Sequence, residues 1–135
     1  MSTIPKMGAI GWIDLTVPDA DAIRDFYSAV AGWAPSPVPM GGYDDYAMTA
    51  AGTGEPAAGI CHARGPNAGL PAQWLVYITV PDVDAAAAAC RERGGDVLLA
   101  AKEAGAYGRY CVIRDPAGAV AALFTPAAGG PHAAG

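Results

Sequence analysis

Apolar residues fall along this chain in two kinds of run, and the same succession occurs twice. Gly8 to Val17 and Trp74 to Val80 are short and rich in Ile, Val, Leu, Trp and Thr, which reads as buried strand. Pro-Asp follows the Thr-Val of each run and stops the strand. Asp19 and Asp82 can then accept hydrogen bonds from the first free N–H groups of a helix, while Asp21 and Asp84 complement its positive end. The spacing of Ile23, Phe26, Tyr27 and Val30 predicts a single apolar stripe on the first helix. The second, Ala85 to Arg93, is mostly alanine, with high helical propensity and little bulk, so it can lie close to a sheet. Gly32 and Gly94-Gly95 stand where a left-handed residue closes a helix.

Three short strand-like segments come after each helix. They are Trp33 to Pro39, Tyr46 to Ala50 and Ala57 to His62, then Asp96 to Ala100, Arg109 to Arg114 and Ala119 to Thr125. Asp115-Pro116-Ala117-Gly118 is a turn signal between the last two. Gly65 to Pro71 reads as a connector, and the 127–135 stretch, AAGGPHAAG, as a loose tail with little to bury. Direct identities support the duplication. Thr16-Val17-Pro18-Asp19 recurs as Thr79-Val80-Pro81-Asp82, a shift of 63, and Asp21, Ala22 and Gly32 fall on Asp84, Ala85 and Gly95. GGYDDY from Gly41 matches GAYGRY from Gly105 at a shift of 64, pairing Tyr43 with Tyr107 and Tyr46 with Tyr110.

Composition narrows the class of function. A chain of 135 residues with 8 basic and 13 acidic residues has a net charge of −5. Its scattered basic residues make no footprint for nucleic acid or an anionic membrane. No apolar run reaches the ~18 residues of a membrane span, and the N-terminus lacks the pattern of an export signal. Cys61, Cys90 and Cys111 are odd in number and lack zinc spacing, which suits a reducing, cytoplasmic setting. Gly41-Gly42 and Gly105 read as turn glycines, and no phosphate-cradling loop motif is present.

WIDLTVPDADAIRDFYSAVAGW in the first half and GRYCVIRDPAGAVAALF in the second resemble the vicinal oxygen chelate superfamily of glyoxalases, bleomycin-resistance proteins and extradiol dioxygenases. Trp12-x-Asp14-Leu15, Trp74-x-x-Tyr77 and Gly108-Arg109 resemble its actinobacterial glyoxalase-like branch. The resemblance implies an α+β fold of two tandem βαβββ modules, about 8–64 and 72–126. Together they would form a single domain over 1–126, an open, cleft-enclosing, barrel-like sheet with helices outside. Homodimers are common in the superfamily.

The resemblance also implies a divalent ion held by His and Glu from the first and last strands of each module. Counting back seven from Asp19 places the first position at Trp12, and the repeat carries it to Leu75. Counting forward seven from Asp115 places the last-strand position at Ala122, which the shift of 64 returns to Ala58. None of these side chains can donate an electron pair to a cation, so no metal and no cofactor are expected. An Asp14–His62 pair would supply only two ligands, and His132 lies in the tail.

In place of a metal centre, alternation along the strands assigns aromatic and apolar side chains to the lining of the cleft that the resemblance implies. Its expected ligand-binding residues are Trp12, Asp14, Tyr46, Met48, Ala58, Ile60, His62, Leu75, Tyr77, Tyr110, Ala122 and Phe124. Asp14 could pair with Arg109 or Arg114, or face a ligand; His62 could be an ordinary strand-end histidine or a base. The leading expectation is a metal-independent protein that binds or sequesters a hydrophobic or aromatic small molecule, with antibiotic resistance among the outcomes. The alternative is a metal-free isomerase or cyclase of secondary metabolism using Asp14 or His62 as base. A metal-dependent lyase or dioxygenase is disfavoured.

Overall fold

In the computed structural model, which describes residues 6–127, ten elements occur in the order expected. They are β1 (Ile10–Val17), α1 (Ala20–Ala31), β2 (Ala34–Pro39), β3 (Asp44–Thr49), β4 (Pro56–His62), β5 (Trp74–Thr79), α2 (Val83–Glu92), β6 (Asp96–Glu103), β7 (Gly108–Arg114) and β8 (Val120–Pro126). This is βαβββ twice, in the α+β class. The tail beyond residue 127, with His132, lies outside the described residues.

The boundaries result from local chemistry. Asp19 accepts the Ala22 N–H at 3.1 Å, and Asp82 accepts those of Asp84 and Ala85 at 3.0 and 3.2 Å. Gly32 closes α1 in the left-handed region at φ +73°. Asp115 Oδ1 accepts from the N–H groups of Ala117 and Ala119, which shapes the turn before β8.

The chain divides into two compact units, Ile13–Trp74 and Leu75 onward, the latter joined by the segment ending at Trp12. The start of β1 belongs with β5 because Gly8 donates to the Thr79 carbonyl at 2.6 Å and Thr79 donates to that of Ala9 at 2.9 Å.

In the unit Ile13–Trp74 the strand order is β2-β3-β4-β1, with β1 parallel to β4 and the other pairs antiparallel. Its core joins Leu15, Val17, Ala20, Tyr46, Met48 and Ile60 to Ile23, Tyr27, Trp33 and Trp74. Trp74 donates its indole N–H to the Tyr27 hydroxyl at 3.2 Å and meets Tyr27 and Trp33 edge-on. The stripe expected on α1 is only half buried. Ile23 and Tyr27, four residues apart, face the sheet, whereas Phe26 and Val30 form the adjacent row and are 52% and 65% exposed.

In the other unit the order is β5-β8-β7-β6. Val83 and Ala87 of α2 pack with Cys111 and Leu123, flanked by Ile78, Val80, Val97 and Ile113. Alanine at five successive positions, 85–89, lets α2 settle close to the sheet.

Each helix is also clamped to its own sheet through its second residue. Asp21 accepts the Tyr46 hydroxyl at 2.6 Å, a bond that is the chief reason its carboxyl titrates below the usual 3.8. Asp84 receives two N–H groups of Arg109 at 2.9 and 3.0 Å, and these hold it low in the same way. Because both folded-state values are depressed, their contribution is present above about pH 4 and is lost as pH falls through the folded values. Melting temperature is therefore expected to drop between about pH 5 and pH 2, and Asp84→Asn should remove part of that slope. An unchanged slope in the variant would refute the assignment.

Candidate functional site

Strand register decides which side chains share a face, because a slip of one residue sends every side chain to the other side. In the unit Leu75 onward, Tyr77 pairs with Ala122, Thr79 with Phe124, Tyr110 with Phe124 and Val112 with Ala122. These residues and Leu75 therefore lie on the face opposite the α2-packed side chains Ile78, Cys111 and Leu123, as the alternation predicted. Val112 and Ala122 are fully buried, and Leu75 and Phe124 nearly so. Tyr77, Tyr110 and Trp12 are half-buried, and the two tyrosine rings are tilted at 40° with centroids 6.4 Å apart.

The other unit departs from the expected lining. Asp14 pairs with Gly59 and Thr16 with Cys61, whereas Leu15 pairs with Ile60, and Tyr46 is also opposite Ile60. Tyr46, Met48 and Ile60 therefore share the α1-facing side with Leu15 and Val17, as their common core confirms. Ala58 and His62 alternate with Ile60 and fall on that same side. The shared face expected for Asp14 and these five residues is thus corrected. Asp14 and Thr16 stand instead with Asp45, Ala47, Gly59 and Cys61.

The misassignment has a definite origin. Asp14↔Gly59 and Tyr77↔Ala122 are related by a shift of 63 at both members, so Gly59, not Ala58, is the counterpart of Ala122. Tyr46↔Ile60 corresponds to Cys111↔Leu123, which makes Tyr46 the counterpart of Cys111, at a shift of 65. β6 has 8 residues against 6 in β2, and the longer strand displaces the start of the next one. The Tyr46–Tyr110 identity is therefore not a structural equivalence.

His62 is engaged on the outside of its sheet. Its Nε2 lies 3.5 Å from Asp21 Oδ1, its ring meets Tyr43 edge-on, and its backbone N–H donates to Asp45 Oδ1 at 2.8 Å. That position removes it from the face that carries Asp14. Arg109 pairs with Asp84 and Glu103, and Arg114 with Asp96.

Asp45 and Cys61 are the residues that sequence reasoning missed on the Asp14 face. Asp14 is 8% exposed. Burial pushes the Cys61 thiol well above its ordinary range, and the carboxylates of Asp14 and Asp45 push it further, so it is a protonated, inert thiol at neutral pH. Alternation in PAAGICH is compatible with either face, so alternation alone could not separate them.

The four positions at which the resemblance implies metal ligands now read Trp12, Gly59, Leu75 and Ala122. Indole, hydrogen, isobutyl and methyl offer no lone pair to a cation, so this donor set does not fit a metal ion. Among the described residues, no group of three or more His, Cys, Asp or Glu side chains is placed to hold one. No helix among them is long and apolar enough to cross a membrane.

The Glyoxalase/Bleomycin resistance protein/Dioxygenase superfamily model matches residues 9–123. CFP32 of Mycobacterium tuberculosis, whose name assigns it provisionally to the glyoxylases, is 38% identical over 122 residues, covering 88% of this chain and 46% of that protein. The anthracycline biosynthesis protein DnrV of Streptomyces peucetius is 33% identical over 129 residues, covering 87% and 46% respectively. The chain thus spans about half the length of the curated relatives it matches. A methylmalonyl-CoA epimerase solved with methylmalonyl-CoA superposes with a TM-score of 0.57 at 20% identity, covering 93% of this chain and 99% of that one. At that identity the likeness is one of fold.

Proposed function

Because the chain belongs to the Glyoxalase/Bleomycin resistance protein/Dioxygenase superfamily, we propose that it binds a hydrophobic, aromatic small molecule without the help of a metal ion. The observation that carries this reading is the Tyr77–Tyr110 pair, two half-buried aromatic rings on the strand face whose other side chains, Leu75, Val112, Ala122 and Phe124, are apolar and buried. Aromatic rings at such spacing suit stacking or edge contacts with a flat guest. DnrV is named for anthracycline biosynthesis, which supports a polycyclic aromatic compound as the guest.

The test is fluorescence titration with a hydroxyanthraquinone. Saturable quenching is expected, and Tyr77→Ala/Tyr110→Ala should weaken binding at least about tenfold, or 1.4 kcal/mol. Wild-type affinity in that variant, or no binding to the wild type, would refute the proposal.

A second reading, a metal-free isomerase or cyclase, is favoured by one feature: Asp14 keeps a carboxyl at 8% exposure within a strand. A group so placed is a candidate for accepting a proton from a bound substrate. Asp14→Asn discriminates the two. An enzyme should lose turnover by orders of magnitude with its binding kept, whereas a sequestering protein shows no turnover to lose.

A further inference from the structure

β2 is an edge strand whose six residues, Ala34-Pro35-Ser36-Pro37-Val38-Pro39, are all exposed, and among the described residues its only strand partner is β3. Every second residue is proline. In an antiparallel ladder, residues alternate between those that turn both N–H and C=O toward the partner and those that turn both away. Proline has no N–H to give. The pairing Ala34↔Thr49, Ser36↔Ala47 and Val38↔Asp45 therefore takes the even positions inward. Met40, of the same parity, continues the series by donating to the Tyr43 carbonyl at 2.9 Å.

Pro35, Pro37 and Pro39 then occupy every outward position. The free edge presents carbonyl oxygens but not one N–H, and the pyrrolidine rings stand where an incoming carbonyl would need a donor. An added strand would have its own carbonyls desolvated against ring carbons.

We propose that this spacing closes the β2 edge to strand addition, so that neither a second copy of the chain nor an extended peptide can lengthen the sheet there, and any assembly of the protein uses another surface. β6, the edge strand of the other unit, carries no proline and is guarded differently. It is broken by register shifts on either side of Leu99 and bears Asp96, Lys102 and Glu103.

The test restores the missing donors. Pro35→Thr/Pro37→Thr/Pro39→Thr keeps strand-compatible side chains and returns three outward N–H groups. Light scattering from micromolar to millimolar protein is expected to show its mass rising with concentration beyond the wild type, while circular dichroism stays native-like. Pro37→Thr alone, the milder change, should move the same way if the triple variant does not fold. In the wild type, amide exchange at Ser36 and Val38 should be slow, as the inward parity demands. A folded variant that keeps the wild-type mass throughout would overturn the proposal, as would fast exchange at Ser36 and Val38.

Discussion

Ile60→Ala is expected to cost about 2–5 kcal/mol of folding stability, the usual range for emptying a fully enclosed aliphatic site, and to leave hydroxyanthraquinone affinity unchanged. Ile60 is 0% exposed, in register with Leu15 of β1 and Tyr46 of β3, and in the core beneath Ile23 and Tyr27 of α1. Truncation removes three carbons that the strands cannot close over, because both neighbouring strands are fixed by their ladders. Thermal melting and titration of the same sample check both halves of the expectation. A small stability loss with a large change in affinity would return Ile60 to the ligand-facing side and undo the register correction. Tyr46 and Met48, on the same side, are expected to behave alike in direction.

Gly108→Ala should damage the other unit to a comparable extent. Gly108 has φ +147°, a region that side-chain-bearing residues rarely adopt, and it opens β7 opposite Pro126. A Cβ there would point onto the Thr125 carbonyl oxygen, with the Ala127 nitrogen at 2.9 Å and the Phe124 ring at 3.0 Å. Two of these three neighbours are backbone, so the clash cannot be relieved by a rotamer change. Strain of about 1–3 kcal/mol from the dihedral adds to about 1–3 kcal/mol from overpacking. A combined loss near 3 kcal/mol or above is expected by denaturant titration. Because Gly108 leads directly into Arg109 and Tyr110, the Asp84 clamp and the ring pair with Tyr77 should loosen together. A variant as stable as the wild type would show that the backbone at 108 is not held as described.

The elements themselves were legible because their signals are local. Pro-Asp after each first strand, the caps at Asp19 and Asp82, Gly32 after α1 and the Asp115 turn each act within a few residues of where they are written. Duplication was legible for a similar reason: matched strands and helix starts keep one shift, 63, wherever β1 aligns with β5 and β4 with β8. That Tyr77, Tyr110 and Phe124 share one face of their sheet was legible from alternation alone, since neighbouring strands there continue the pattern without interruption.

Face assignment in the unit Ile13–Trp74 was not legible. The tyrosine identities between GGYDDY and GAYGRY suggested a shift of 64, but pairing places Tyr46 with Cys111 and Gly59 with Ala122. A ladder with period two converts an error of one residue into the opposite face, and only the hydrogen-bonded partner strand selects between them. That selection moved Ile60 and Met48 into the core, carried His62 to Asp21, and brought Asp45 and Cys61 beside Asp14.

The amino-acid sequence by itself determined the order of elements, their ends and the duplication, because each depends on residue type and near-neighbour chemistry. Only the tertiary structure decided which side of each strand meets a helix and which polar groups stand together. Those depend on pairing between strands distant in the chain, such as β1 with β4, and on backbone bonds that residue identity leaves open.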